Sequence, residues 1–280
     1  MSDALLRATG LVKSYARRRK ETEFCAVDEV SVEVAPGEVL GIMGETGCGK
    51  STTVRCIVGL ETPDRGEIDY DGIDVRRASR AERERFRREV QMVFQNPYAS
   101  LNPRMNVEQL VGEGLLVHGI ERSRARRRDL VAEVLDRVGL GGVDLGRLPR
   151  SFSGGQRQRI AIARALAVSP RLLICDEPVS ALDVSVRAQI VNLLADMRDE
   201  LGLTVVFIAH DPAVLRHLCD RMLVMREGRV VESGPTADVF GAPSHPYTRS
   251  LLAAVPIPDP PVARARRAER LRAAELEVAS

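Results

Sequence analysis

Short apolar runs recur along the chain, each too brief for a long helix and each closed by glycine or polar residues. Leu5–Thr9 and Ala26–Val34 read as strands joined by a basic loop around Arg17–Lys20. Val39–Met43 is an apolar run bounded by glycines, the pattern of a strand buried on both faces. A glycine-rich turn follows, and then a helix is expected over Lys50–Val58. Glu67–Tyr70 and Val90–Phe94 continue the strand series. From about Asn106 to Ala167 the period becomes helical, with basic and acidic faces. Leu172–Cys175, Thr204–Ile208 and Met222–Met225 are again short apolar strands separated by helical stretches. Strands alternating with helices predict an α/β fold whose mostly parallel sheet is covered on both faces. The helical block between strands reads as an inserted subdomain.

Composition narrows the function. The 280 residues are 44% apolar and 29% charged, an ordinary globular balance with material for one large or two small domains. Basic and acidic residues number 41 and 39, for a net charge of +2, so charge makes no case for a nucleic-acid partner. Tryptophan is absent and aromatics are 4%, which also argues against a base-stacking surface. Cys25, Cys48, Cys56, Cys175 and Cys219 fall at no C-x-x-C spacing, so neither a zinc site nor a redox pair is signalled. They read as scattered thiols of a reducing compartment. Met1–Tyr15 lacks the charged-then-apolar order of a secretion signal. No apolar run approaches the roughly 18 residues that span a bilayer, so any membrane connection is expected through a partner.

Three constellations carry the chemistry. Gly44-Glu45-Thr46-Gly47-Cys48-Gly49-Lys50-Ser51 fits G-x-x-x-x-G-K-[ST] between a predicted strand and helix. Glycines let the backbone curl so that several N–H groups face one phosphate chain, and the helix N-terminus adds partial positive charge. Lys50 is placed to reach the terminal phosphates and Ser51 to offer an oxygen to Mg²⁺; Thr52 continues the same turn. At the mouth of that helix, two residues from Lys50, the Cys48 thiol is expected to be acidified and reactive, and Cys175 inert. Second, the run Leu172-Leu173-Ile174-Cys175 ends in Asp176 and Glu177. Ligands of parallel sheets bind beyond the carboxyl ends of the strands. Asp176 is placed to hold Mg²⁺ and Glu177 to take a proton from a water attacking a γ-phosphate. Third, Ser153-Gly154-Gly155-Gln156-Arg157 opens a helix with Ser153 as N-cap, a second anion site. One nucleotide does not need two such helix ends from one subunit. Two chains head to tail would place one from each on either side of ATP.

Together these motifs resemble the ATP-binding-cassette (ABC) ATPases. Gly44–Ser51 matches their Walker A, Leu172–Glu177 their Walker B, and Phe152–Gln156 their signature, with Phe152 where Leu is commoner. The resemblance, over about residues 5 to 260, implies further roles. Tyr15 stacks on adenine, Gln95 reaches Mg²⁺ and the attacking water, and His210 contacts the γ-phosphate. Ser180-Ala181-Leu182-Asp183 is similar to the D-loop that crosses a dimer interface. It implies a P-loop NTPase core with an N-terminal antiparallel β part. The ATPase domain is expected over residues 1–260, with a helical subdomain at about 96–168 and a charged tail over 261–280.

Asn96–Met105, Ser244–Leu252 and Pro256–Pro260 resemble the oligopeptide, dipeptide and nickel importer ATPases. That branch implies ATP and Mg²⁺ as ligands and a second ATPase subunit, identical or a sister chain. It also implies two transmembrane permeases, a solute-binding protein and a location on the cytoplasmic face of the cell membrane. No cysteine follows Cys219, so the iron–sulfur cluster of some members is not expected. The stretch Arg264–Ser280 looks unlike the family pattern and reads as a solvated or frayed helix, with membrane-surface contact as the alternative. His118, His217 and the run Arg122–Arg128 are set aside as surface or core features. The rival reading is a soluble ABC ATPase acting on ribosomes or DNA. Against it stand the single set of motifs and the absence of sustained heptads between Walker A and the signature. A GTPase switch is a further rival, but no N-K-x-D stretch is present to read guanine.

Overall fold

The computed structural model describes residues 4–15, 24–180 and 182–253. The basic loop at Arg17–Lys20, Ala181 of the D-loop, the prolines from Pro256 and the tail from Arg264 lie outside the described residues.

Strands β1 (Leu6–Tyr15) and β2 (Phe24–Val34) pair antiparallel. Strand β3 (Val39–Met43) leads through the glycine turn into helix α1 (Lys50–Ile57). Strands β4 (Arg65–Tyr70) and β5 (Ile73–Asp74) complete an antiparallel sheet in the order β2-β1-β4-β5. Helix α2 (Arg80–Glu89) precedes β6 (Val90–Val93). Then come α3 (Pro97–Ser100), α4 (Val107–Val117), α5 (Arg124–Arg137) and α6 (Gly154–Leu166), the inserted helical block. The chain returns through β7 (Leu172–Asp176), α7 (Val184–Leu201), β8 (Thr204–Ile208), α8 (Pro212–Leu218) and β9 (Arg221–Arg226). It closes with β10 (Arg229–Pro235), α9 (Thr236–Gly241) and α10 (Pro246–Ala253). The second sheet runs β10-β9-β3-β8-β7-β6, parallel except for the antiparallel β10 edge. The expected α/β fold, antiparallel N-terminal part and helical insertion are all present.

Side-chain alternation explains the layering. In β3, Val39 and Met43 join one core while Leu40 and Ile42 join the other. In β7, Leu173 and Cys175 face the first core and Leu172 and Ile174 the second; β8 repeats the pattern. A strand buried on both faces needs apolar residues at every position, which is why these runs do not alternate with polar ones. Each such Val, Leu or Ile contributes on the order of 1.5–3 kcal/mol by leaving water. The first core lies under α4–α8; the second lies under α1 and the antiparallel sheet. The strands β3, β8, β7 and β6 are therefore held side by side, and their C-terminal ends open on one edge. Among the described residues, no helix is long and apolar enough to cross a membrane.

Candidate functional site

The phosphate loop leaves β3 at Gly44 and enters α1 at Lys50. Gly44 has φ +154° and Gly49 φ +106°, and a Cβ at either would lie 2.3 Å from the Met225 carbonyl oxygen or 2.2 Å from that of Ala26. Both backbone approaches require glycine. Gly49 is the N-cap of α1 and supplies no side chain to the helix, so the first-turn N–H groups face outward uncapped. The Lys50 ammonium is buried and donates to the carbonyls of Gly44 and Glu45, each at 2.8 Å.

Three further strand ends complete the arrangement. The Ser51 hydroxyl donates to Asp176 at 2.8 Å, joining α1 to the end of β7. Glu177 follows in a left-handed conformation, φ +49°, costly for a residue with a side chain. Its N–H donates to the Ile208 carbonyl of β8 at 3.1 Å, and its carbonyl accepts from Ser180 N–H at 3.2 Å. This turn aims the carboxylate inward, 5% exposed. Gln95, two residues beyond β6, donates its Nε2 to one carboxylate oxygen at 2.8 Å. His210, two residues beyond β8, brings Nε2 to the other at 2.5 Å. One buried carboxylate is thus gripped by side chains from two neighbouring strand ends.

A cavity of about 360 Å³ gathers these groups. Tyr15, Thr46, Gly47, Gly49, Lys50, Ser51, Thr52, Gln95, Glu177 and His210 line it. The Tyr15 ring is 38% exposed, with its hydroxyl on Glu61 and the Lys13 ammonium 5.6 Å from its centroid. Gly44 and Asp176 sit behind the wall, while Glu45 and Cys48 line an adjoining cavity of about 460 Å³. Ser153, Gly154, Gly155 and Gln156 are not part of either wall. They start α6 in a reciprocal capping box: Ser153 Oγ accepts from Gln156 N–H at 3.3 Å and Gln156 Oε1 accepts from Ser153 N–H at 3.0 Å. Ser180 and Leu182 follow Glu177, and Asp183 caps α7 through the Val186 N–H at 2.9 Å.

Sequence reasoning erred on Cys48. The thiol is 6% exposed, and burial pushes its pKa up against the opposing pull of Lys50. Lys50 favours the thiolate, but for a thiol packed behind Gly44 the cost of desolvating the charged form outweighs that pull. The expectation for Cys175 agrees with its complete burial. Phe24, which lines both cavities, and Tyr247, which reaches the loop from α10, carried no such signal in the sequence. Phe24 is placed by its pairing with Tyr15, and Tyr247 by a contact with Glu45, 202 residues away along the chain.

The donor set suits oxygen chemistry. Ser51 Oγ, the Asp176 carboxylate and the Gln95 carbonyl oxygen are hard donors of the kind Mg²⁺ takes together with phosphate oxygens.

Comparison with known proteins agrees with this geometry. The ABC transporter family model matches residues 27–180, and that of the oligopeptide/dipeptide transporter C-terminal region matches residues 231–278. The second match runs through most of Arg264–Ser280, so the tail lies within the family's C-terminal region, contrary to the expectation that it departs from the pattern. The oligopeptide transport ATP-binding protein OppF of Bacillus subtilis (strain 168) is 47% identical over 95% of this chain and 87% of its own length. That of Streptococcus mutans is 49% identical over 88% of this chain and 80% of its own. Among solved structures, the ATP-binding cassette MJ0796, in a dimeric post-hydrolysis state bound to ADP and Pi, superposes with a TM-score of 0.74 at 31% identity. The match covers 82% of this chain and 98% of that one. The chain belongs to the ABC transporter ATPases, in the group that carries the oligopeptide/dipeptide transporter C-terminal region.

Proposed function

We propose that this chain hydrolyses MgATP to power the import of peptides or similar small solutes through membrane permease partners. The observation that carries the reading is the Glu177 carboxylate, held between Gln95 and His210 at the mouth of the phosphate loop. Tyr15 stacks on the base, and the N–H groups from Gly47 to Thr52 with Lys50 take the phosphates. Ser51, Asp176 and Gln95 would hold Mg²⁺, which when bound neutralises charge on the phosphate oxygens. A water hydrogen-bonded to Glu177 attacks the γ-phosphorus. Its proton passes to the carboxylate as the bond to the ADP oxygen breaks. Gln95 and His210 fix the carboxylate and orient that water.

The turn Ser153–Gln156 stands apart from this cavity and presents a helix N-terminus to solvent. In a head-to-tail pair of ATPases it serves the partner's nucleotide. The pair is either two copies of this chain or this chain with a sister subunit. A second surface supports the permease partners. A groove of about 440 Å³ lies between β6 and α4, lined by Phe86, Met92, Phe94 and Val117 together with the polar Arg87, Gln91, Glu113, His118 and Arg164, with the half-exposed Leu60 at its rim. Phe94 adjoins Gln95, so an occupant of the groove sits one residue from the catalytic cluster. In this reading the complex works at the cytoplasmic face of the cell membrane, with two permeases and a solute-binding protein. The ATPase domain spans residues 1–260, with its helical subdomain at about 96–168.

Glu177→Gln tests the reading. It should keep MgATP affinity, lower turnover by about 10²–10⁴ and accumulate as an ATP-bound dimer. Near-normal hydrolysis by this variant removes Glu177 from the mechanism.

A further inference from the structure

The segment Ser244–Leu252 marks the branch in the sequence but has no part in the chemistry above. In the fold it runs from β10 to the phosphate loop. Glu232 of β10 accepts hydrogen bonds from the Ser244 N–H at 2.7 Å, the Ser244 hydroxyl at 2.9 Å and the His245 N–H at 3.0 Å. The His245 Nδ1 accepts from the Tyr247 N–H at 3.1 Å, fixing the first turn of α10. From that turn the Tyr247 side chain, 7% exposed, reaches back across the molecule. Its hydroxyl accepts the N–H of Glu45 at 3.1 Å, in the first turn of the phosphate loop. The Arg226 guanidinium lies 5.1 Å from the ring centroid and holds the ring in place.

The same unit touches the loop a second time. Gly228, in the turn between β9 and β10, donates its N–H to the Cys48 carbonyl at 3.0 Å. One donor and one acceptor of the loop, on either side of Gly47, are therefore claimed by the C-terminal third of the chain. Three glycines with positive φ, Gly44, Gly47 and Gly49, make the loop intrinsically adaptable. An adaptable loop pays an ordering cost when phosphate binds, and outside restraints reduce that cost. Tyr247 takes an N–H from the start of the loop, before the helix mouth where phosphate is received. It therefore shapes the cradle without competing for the ligand.

We propose that Tyr247 is a positioning residue for nucleotide binding, and that the Glu232–His245–Tyr247 chain lets the C-terminal region set the ATP affinity of the phosphate loop. The inference rests on the reading that Gly44–Thr52 receive the phosphates of ATP. A restraint present equally in the ground and transition states changes KM and leaves kcat.

The test uses the full-length chain, with MgATP binding measured by calorimetry, KM and kcat by phosphate release, and Tm by thermal unfolding. Tyr247→Phe keeps the ring and its Arg226 contact and loses only the hydroxyl. It should raise both Kd and KM about fivefold, the worth of one ordinary hydrogen bond. Glu232→Ala should raise them in the same direction, and the double variant should fall short of the product of the two effects because both act on one path. Lys50→Ala serves as the reference and should abolish binding. If Lys50→Ala abolishes binding while Tyr247→Phe binds MgATP like the unaltered chain, the inference is wrong and the site reading stands. The inference also fails if Tyr247→Phe lowers Tm alone. If Lys50→Ala binds normally, the site reading fails and takes the inference with it.

Discussion

The cluster at the strand ends and the turn that opens α6 bind their polar groups in opposite ways. In the cluster every contact is long-range: Ser51 meets Asp176, and Gln95 and His210 meet on Glu177. The partners come from a helix start and three strand ends, and Asp176 and Glu177 are 1% and 5% exposed. In the turn the hydrogen bonds are local. Ser153 and Gln156 satisfy each other, and Arg157 donates to the carbonyls of Pro149 and Arg150 while its guanidinium lies 4.2 Å from the Tyr98 centroid. The sheet fixes the first geometry from inside. A single helix start fixes the second, and leaves it on the surface. Under the proposed sharing of a site between two chains, the first region is a pre-assembled, buried half and the second a half that can be offered to a neighbour.

The largest effect that could break the comparison comes from separating the halves. Lys50→Ala damages the buried half and Ser153→Arg the offered half. Each homodimer should lose at least about 10²-fold in ATPase rate, the scale of removing a preorganised electrostatic element. When the two variants are mixed, one site of a mixed dimer carries both lesions and the other carries none. Statistical mixing of independent sites should then return about a quarter of the unaltered rate. No recovery in a demonstrated mixed dimer would show that the turn serves its own chain or none. Should the chain pair only with a sister ATPase, the lesions are divided between the two proteins.

A smaller effect separates the backbones of the two regions. A Cβ at Gly49 would lie 2.2 Å from the Ala26 carbonyl oxygen, and φ there is +106°. Main chain on the far side cannot retreat, so Gly49→Ala should cost about 3 kcal/mol or more, adding overpacking to a left-handed backbone. At Gly155 the same addition meets Val186 Cγ1 at 2.5 Å, with no unfavourable φ. Gly155→Ala should cost about 1–2 kcal/mol by urea unfolding, and Val186→Ala should recover most of it because the obstacle is one side chain. Failure of that rescue would mean that α6 approaches α7 through main chain as well, and that the turn is more rigidly built than its local hydrogen bonds suggest.

Much of the buried half was legible because both of its ingredients are local. An apolar run followed by a glycine turn or an acidic pair locates the end of a parallel strand, and β3, β7 and β8 follow their predicted spans within a residue. Elements held by few apolar contacts were not legible. Helix α2 buries Phe86 and Glu89 from an otherwise charged sequence, so no stripe announces it. Strand β10 is an edge with mostly half-buried positions ending in glycine and proline. The apolar pattern predicts the first strand only as far as Thr9. Instead Gly10 takes φ +57° at a register shift between Ala8 and Leu11, and the strand continues to Tyr15. The Tyr247 contact with Glu45 joins residues 202 apart, beyond the reach of any local pattern.

The finest distinction between the regions is how each treats a thiol. A cysteine at a helix start should be acidic and reactive, yet Cys48 is packed behind Gly44, with Lys50 Nζ at 3.9 Å from its sulfur and burial raising its pKa. The helix-start effect should operate instead on a thiol placed at the exposed N-cap of α6. Cys25 is exposed and would mask the comparison, so the experiment uses a Cys25→Ser background. There, Ser153→Cys should react with maleimide at least about tenfold faster than Cys48, as expected for an accessible thiol at a helix N-terminus against a buried one. Adding Glu177→Gln and MgATP should slow the reaction at position 153, because the offered half is then covered by a neighbouring nucleotide, and leave the slow rate at Cys48 unchanged. Peptide mapping distinguishes the two sites. Equal rates at both positions in the folded protein would mean that the phosphate loop opens often enough to expose its interior. The contrast between a fixed buried half and an accessible offered half would then hold only for the average structure.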